Sequence, residues 1–295
     1  MKTRACAGLA LVSTLLFSPA WPEAAAPAAP RKVEVGGHKM RLLVEGTGRE
    51  GRPTVVLVGG LGDALEVWKT VQPRIAGFAR VVSYDRAGLG QSEPDGAPPT
   101  PRHVASHLHD LLHNAGINPP YVLVGHSIGG PHIRMFAGLY PAEVAGMVYV
   151  DPTDFTQTRA DQLAIWTALG AGEAGLKAQE AQFEKNFESS PPALRAEAEV
   201  SLQLARSGWE EFRSLAPLPS VPVVVLMATK IDMPQEVKVV IGAQRIPHLA
   251  KLAAEVADGA FVITTRSGHY IHNEEPDLVI WAVRRALHAE TDDRS

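Results

Sequence analysis

The sequence predicts an α/β fold, with a mostly parallel sheet covered by helices on both faces and a helical cap inserted into it. Three observations lead there. Short Val-rich runs bounded by Gly, Asp or Pro alternate with longer stretches of helical spacing. The runs are apolar throughout, as expected of strands buried on both faces. The chain, 295 residues long, is enough for one sizeable domain with an insertion.

The elements follow in chain order. Lys2 and Arg4 precede an apolar run from Ala5 to Phe17, and Ser18-Pro19-Ala20 then offers small residues at a cut site. That layout predicts a secretory signal peptide over residues 1–20, cleaved after Ala20, and a secreted or periplasmic protein. The run is too short to span a bilayer comfortably, which argues against an uncleaved anchor or membrane insertion. Cleavage removes Lys2 and Arg4, taking the formal charge from −4 to −6, and removes Cys6, the only cysteine. The mature chain then forms no intramolecular disulfide. Residues 21–30, rich in Ala and Pro, read as a flexible leader.

Lys32 to Val35 and Met40 to Glu45 predict a hairpin around Gly36-Gly37. Val55 to Val58, Val81 to Tyr84, Tyr121 to Val124 and Val144 to Val150 predict buried strands, with helices near 65–77, 102–115 and 130–140 between them. The rhythm breaks over residues 152–217, which carry Ala, Glu, Gln and Leu at helical spacing and no strand pattern. At about 65 residues, against usual connections of 2–6, this stretch predicts a helical cap between core segments 31–151 and 218–295. Trp166, Leu169, Trp209 and Phe212 either line an apolar cleft there or hold the cap together. Alternation resumes with a strand from Val221 to Met227, a helix near 246–257, a strand from Phe261 to Thr265 and a last helix from Pro276 to His288.

Chemistry concentrates at Gly125-His126-Ser127-Ile128-Gly129. Gly-x-Ser-x-Gly between a strand and a helix marks a sharp turn that lifts a serine hydroxyl above the C-terminal edge of a sheet. The helix start beneath it adds partial positive charge and free N–H groups where an oxyanion would form.

Four stretches, in order, resemble the α/β-hydrolase family over nearly everything after residue 31. They are Val58 to Gly62, where the family's usual oxyanion-loop histidine is here Gly59, then Ser83 to Ser92, Gly125 to Gly130, and Ser267 to Tyr270 followed by Glu275-Pro276. The resemblance implies a serine hydrolase that forms an acyl-enzyme, with Ser127 as nucleophile, His269 as general base and the backbone N–H groups of Leu61 and Ile128 as oxyanion donors. His272 is then a packing neighbour. The acid is Asp151, directly after its strand, or alternatively Asp232, past the later one; the family supports both placements, and Asp151 is preferred. Relatives that open epoxides or dehalogenate use an aspartate at the elbow, so a serine there points to acyl chemistry. A small carboxylic ester is the expected substrate. A small-substrate peptidase, an acyltransferase and a catalytically silent small-ligand binder are the alternatives.

Other classes find little support. No basic block suits nucleic acid or an anionic membrane surface. Gly60-Leu61-Gly62 and Gly88-Leu89-Gly90 lack the third glycine of a dinucleotide loop, and no Walker lysine follows either, so no cofactor is expected. His103, His107, His109 and His113 form two i, i+4 pairs on one helix, but without His-Glu-x-x-His they read as a solvated face and no metal is expected. Asp85 and Arg86 read as braces for the turn after their strand.

Overall fold

The computed structural model describes residues 28–48, 51–230, 232 and 234–288. The expected signal peptide and most of the leader lie outside them. Eight strands form one sheet in the order β1-β2-β4-β3-β5-β6-β7-β8. They are β1 (Arg31–Val35), β2 (His38–Glu45), β3 (Thr54–Val58), β4 (Val81–Tyr84), β5 (Tyr121–His126), β6 (Val144–Val150), β7 (Val223–Ala228) and β8 (Gly259–Thr264). The β1–β2 hairpin and the β2–β4 pair are antiparallel, and every pair from β4 through β8 is parallel. Gly36 and Gly37 make the hairpin's two-residue turn, both with positive φ (57° and 93°), which glycine adopts without a Cβ penalty.

The fully apolar strand runs have their reason in two cores, one on each face of the sheet. Successive side chains point to opposite faces, so Val56 and Val58 join one core while Val55 and Leu57 join the other. The first core is closed by α2 (Pro101–Asn114), α3 (Gly129–Leu139) and α8 (Gln235–Ala254), through residues such as Leu108, Phe136 and Leu252. The second is closed by Trp68, by Ile75 of α1 (Gln72–Ala76), by Ile271 of α9 (Ile271–Glu274) and by Val279 and Val283 of α10 (Pro276–His288). Each such side chain contributes about 1.5–3 kcal/mol on burial, and the strands carry most of them.

Four helices fill the interval between β6 and β7: α4 (Arg159–Ala168), α5 (Gly172–Phe187), α6 (Pro192–Arg206) and α7 (Glu210–Arg213). Trp209 and Phe212 are buried in the first core, beside Phe155, and so help tie this layer down. The structure revises several expected boundaries. The helix expected over 65–77 is a 3-10 turn at Leu65–Trp68 followed by the short α1, with Pro73 near its start. α8 begins eleven residues before the expected 246 and carries Pro247 in its interior. Proline suits a first helical turn far better than a middle, so Pro247 disguises the preceding turns. Among the described residues no helix is long and apolar enough to cross a membrane.

Candidate active site

Parallel register places the ends of neighbouring strands along one edge. Val58 of β3 pairs with Gly125 of β5, His126 of β5 with Val150 of β6, and Val150 with Leu226 of β7. The residues just beyond these ends, Ser127 and Asp151, therefore leave adjacent strands side by side. Both have left-handed backbones, with φ of 52° and 43°, a conformation that costs non-glycine residues roughly 1–3 kcal/mol.

The turn at Ser127 is enforced by its glycines. A Cβ on Gly125 would meet the carbonyl oxygen of Gly129 at 2.4 Å, and one on Gly129 would meet that of Val58 at 2.4 Å. Ser127 N–H donates to Val150 O (3.2 Å), while its carbonyl accepts from Gly130 N (2.9 Å) and Thr153 N (3.0 Å). The elbow is thus bonded to the chain leaving β6.

Asp151 is buried and fully partnered. Its Oδ2 lies 2.6 Å from His269 Nδ1, and its Oδ1 accepts from Ala228 N (2.9 Å) and Arg245 Nη2 (3.1 Å). Burial pushes its carboxyl pKa up, but the bonds from His269 and Ala228 and the charge of Arg245 together outweigh that and hold it below its ordinary value. An ionised carboxylate only accepts, so His269 Nδ1 carries the hydrogen of this contact, and in the neutral ring the lone pair falls to Nε2. The His269 ring is about half exposed, and its backbone oxygen accepts from His126 Nε2 (3.1 Å). Of the two candidate acids, Asp151 meets the imidazole. Asp232 is exposed beyond β7 and borders the same cleft.

Leu61 follows β3 at the same edge, and its loop is held from three sides. Asp63 Oδ2 accepts from Gly60 N (2.8 Å), Glu197 Oε2 accepts from Gly62 N (2.9 Å), and Arg86 donates to Gly59 O (2.9 Å) and Gly60 O (2.6 Å). Among the described residues the amide between them, Leu61 N–H, has no acceptor, and neither has Ile128 N–H. Arg86 is itself paired with Glu197 of α6 at 2.5 Å, both buried. Asp85 accepts from Leu65 N (2.7 Å) and Gln91 N (2.8 Å), the bracing read from the sequence.

His272 is wholly buried, its ring tilted against Trp68 (4.6 Å) and edge-on to His126 (4.6 Å), with neither ring nitrogen hydrogen-bonded. Burial, then the charge of His126, push its pKa down to about 3. It is therefore a neutral packing ring and no competitor for His269.

Sequence reasoning missed Arg245, Glu197, Asp63 and His126. Arg245 and Glu197 arrive from helices far along the chain, and nothing in their own neighbourhoods signals a destination. Asp63 sits against the Gly-rich loop and His126 inside the elbow, so both carried a local hint.

A cleft of about 500 Å³ opens beside His269 and Asp151, bordered by Lys230, Asp232 and Arg245. Thr153, Asp154 and Arg245 line both it and a groove of about 490 Å³ flanked by Trp166, Leu169 and Trp209.

Residues 55–282 match the alpha/beta hydrolase family. A probable transporter of Hormonema carpetanum is 32% identical over 133 residues, covering 43% of this chain and 19% of that protein. Across the first three curated relatives, this chain spans only 15% to 39% of their lengths. Among solved structures, the epoxide hydrolase CorEH superposes with a TM-score of 0.64 at 17% identity, covering 89% of this chain and 99% of that one. A thermophilic esterase from Thermogutta terrifontis gives 0.57 at 20% identity, covering 87% and 97%. At such identities the likeness is one of fold.

Proposed function

The chain belongs to the alpha/beta hydrolase family, and from that premise we propose that it is a serine hydrolase cleaving a small carboxylic ester through an acyl-enzyme. The observation that carries the reading is the 2.6 Å contact of His269 Nδ1 with the buried Asp151, at the sheet edge where the strained Ser127 turn also lies. His269 Nε2 takes the proton of the Ser127 hydroxyl as Oγ attacks the ester carbonyl. Asp151 keeps the imidazole in the required tautomer and stabilises its positive form. The oxyanion is received by Leu61 N–H and Ile128 N–H, each worth about 3–4 kcal/mol in the transition state. His269 returns the proton to the departing alcohol. Water, deprotonated by the same nitrogen, then attacks the acyl carbon and frees the carboxylic acid and Ser127.

A serine at the elbow separates this chain's chemistry from epoxide opening, which needs a carboxylate nucleophile to form an alkyl ester. The helices over residues 152–217 act as the cap, with the groove past Trp166 and Leu169 receiving the acyl or alcohol chain. The N-terminal pattern at residues 1–20 supports an exported enzyme, which fractionation of expressing cells checks.

The decisive experiment is labelling of the mature protein by a fluorophosphonate probe beside turnover of aryl acetates. Wild type labels and releases product in an initial burst, and Ser127→Ala does neither. Folded wild type that binds ligand without labelling would establish a silent binder instead.

A further inference from the structure

The four histidines of α2 do not share one solvated face. His109 stacks on Tyr140 (4.0 Å) and His113 is exposed, whereas His103 and His107, 3.9 Å apart, turn together toward Asp95. Asp95 Oδ2 lies 2.5 Å from His103 Nε2 and 3.3 Å from His107 Nδ1. A third imidazole, His38 at the start of β2, packs 5.1 Å from the His107 ring. One donor atom each from His38, Asp95 and His107 lies within 4.8 Å of the other two. His38 is 6% exposed, and its Nε2 is buried without a hydrogen-bond partner. A carboxylate shared between two helix histidines accounts for Asp95, but it leaves His38 unexplained.

We propose that His38, Asp95 and His107 form a binding site for one divalent transition metal of the zinc type, which clamps the β1–β2 hairpin and the loop after β4 onto α2. Two imidazoles and one carboxylate suit zinc, cobalt or nickel and disfavour calcium and magnesium, which want oxygen. Tetrahedral zinc with bonds of about 2.0–2.1 Å sets its donors about 3.3 Å apart. Asp95 and His107 already stand at 3.3 Å, and rotation of the imidazoles brings the third donor in.

The donors are held in place by other bonds. Asp95 Oδ1 accepts from Ala97 N (3.0 Å), leaving Oδ2 for the histidines. Lys39, next to His38, exchanges two bonds with Glu93 (2.9 Å each) and so ties the hairpin to the same loop. His103 Nε2–H donates to Asp95, steadying the carboxylate as partners of metal ligands commonly do. The cluster borders a cavity of about 220 Å³ that Arg86 and Ala193 of α6 also line. A water in the fourth position has room there. The clamp fixes the loop from which Arg86 braces the oxyanion turn, and it takes no part in the reaction.

The test is a titration of untagged, chelator-stripped protein with zinc chloride and, separately, cobalt chloride. The expected result is one equivalent bound, visible cobalt absorption of four-coordinate type, and a Tm raised by about 4 °C at a hundredfold excess over Kd. His38→Gln and Asp95→Asn, which keep side-chain volume, lose both signals, and His113→Ala keeps both. Absence of binding to folded wild type overturns the proposal. So does cobalt absorption that persists in His38→Gln and Asp95→Asn, or that vanishes in His113→Ala.

Discussion

The sheet edge that carries Ser127 and Asp151 and the helical layer between β6 and β7 are built on different principles. β3, β5 and β7 are buried at every residue, and their register alone fixes where the following residue stands. In the helical layer α4 buries only Gln162, and α5 only Leu176 and Glu180. That layer is held by Trp209 and Phe212, by a few buried apolar residues of α5 and α6 (Leu176, Ala198 and Leu202), and by ion pairs of Glu197 with Arg86 and of Glu180 with Arg159 and Arg206. Apolar burial on both faces leaves the strand ends little room to shift, which would suit the proposed reacting centre. Ion pairs can be exchanged without rebuilding a core, which would suit the cap role proposed for that layer.

Variants can break or sharpen that contrast. The largest effect is expected at the edge. Asp151→Asn lowers kcat about 10⁴-fold by presenting the wrong tautomer, whereas Asp232→Asn stays within about twofold, since Asp151 meets the imidazole. Steady-state turnover of an aryl acetate separates the two, and a reversed ranking would move the acid to the later strand. Next comes the junction of the two regions. Glu197→Ala leaves Arg86 buried and unpaired and frees Gly62 N–H, costing about 3–5 kcal/mol in denaturant unfolding. Turnover falls as the Leu61 loop loosens, and Glu197→Gln recovers part of both.

A smaller effect depends on pH. Because the folded pKa of His272 is depressed to about 3, against about 6.5 unfolded, the unfolded chain takes up a proton between those values that the native one does not. His272 therefore costs nothing above about pH 6.5. Below it, it destabilises the fold by about 1.4 kcal/mol per pH unit, down to about pH 3. His272→Leu removes that slope, read from urea midpoints between pH 7 and 4; identical slopes in the two proteins would refute the buried neutral ring. At the other extreme, Lys177→Ala, which breaks the exposed pair with Glu173, leaves turnover and Tm unchanged within error.

The same contrast explains what could be read from the sequence. Val runs and the Gly-x-Ser-x-Gly turn are local signals, so the strands, the order of the core and the elbow were legible from residues 54 to 150. Boundaries failed where one residue type serves two local roles, as Pro247 does inside α8. For the acid, two strand ends were eligible in one dimension with Asp151 preferred, and the contact of Asp151 with the distant His269 distinguishes them. Arg245 and Glu197 were invisible because long-range charge pairing leaves no periodicity. The histidines of α2 looked alike at i, i+4 spacing, yet His103 and His107 turn to Asp95, His109 stacks on Tyr140 and His113 stays exposed once neighbouring elements are packed.

Ser127 and Asp151 share a backbone hand that would suit glycine better than either of them. In a library ranked purely by heat resistance, with no assay for turnover, Ser127→Gly would relieve that local strain and alanine there would inherit it, whereas Asp151→Gly would set the same relief against an Arg245 and an Ala228 N–H left without their partner. Such a selection would drift toward an inert, tougher protein. A gain at Ser127 on losing its side chain would mark, without any substrate being known, where the proposed nucleophile stands.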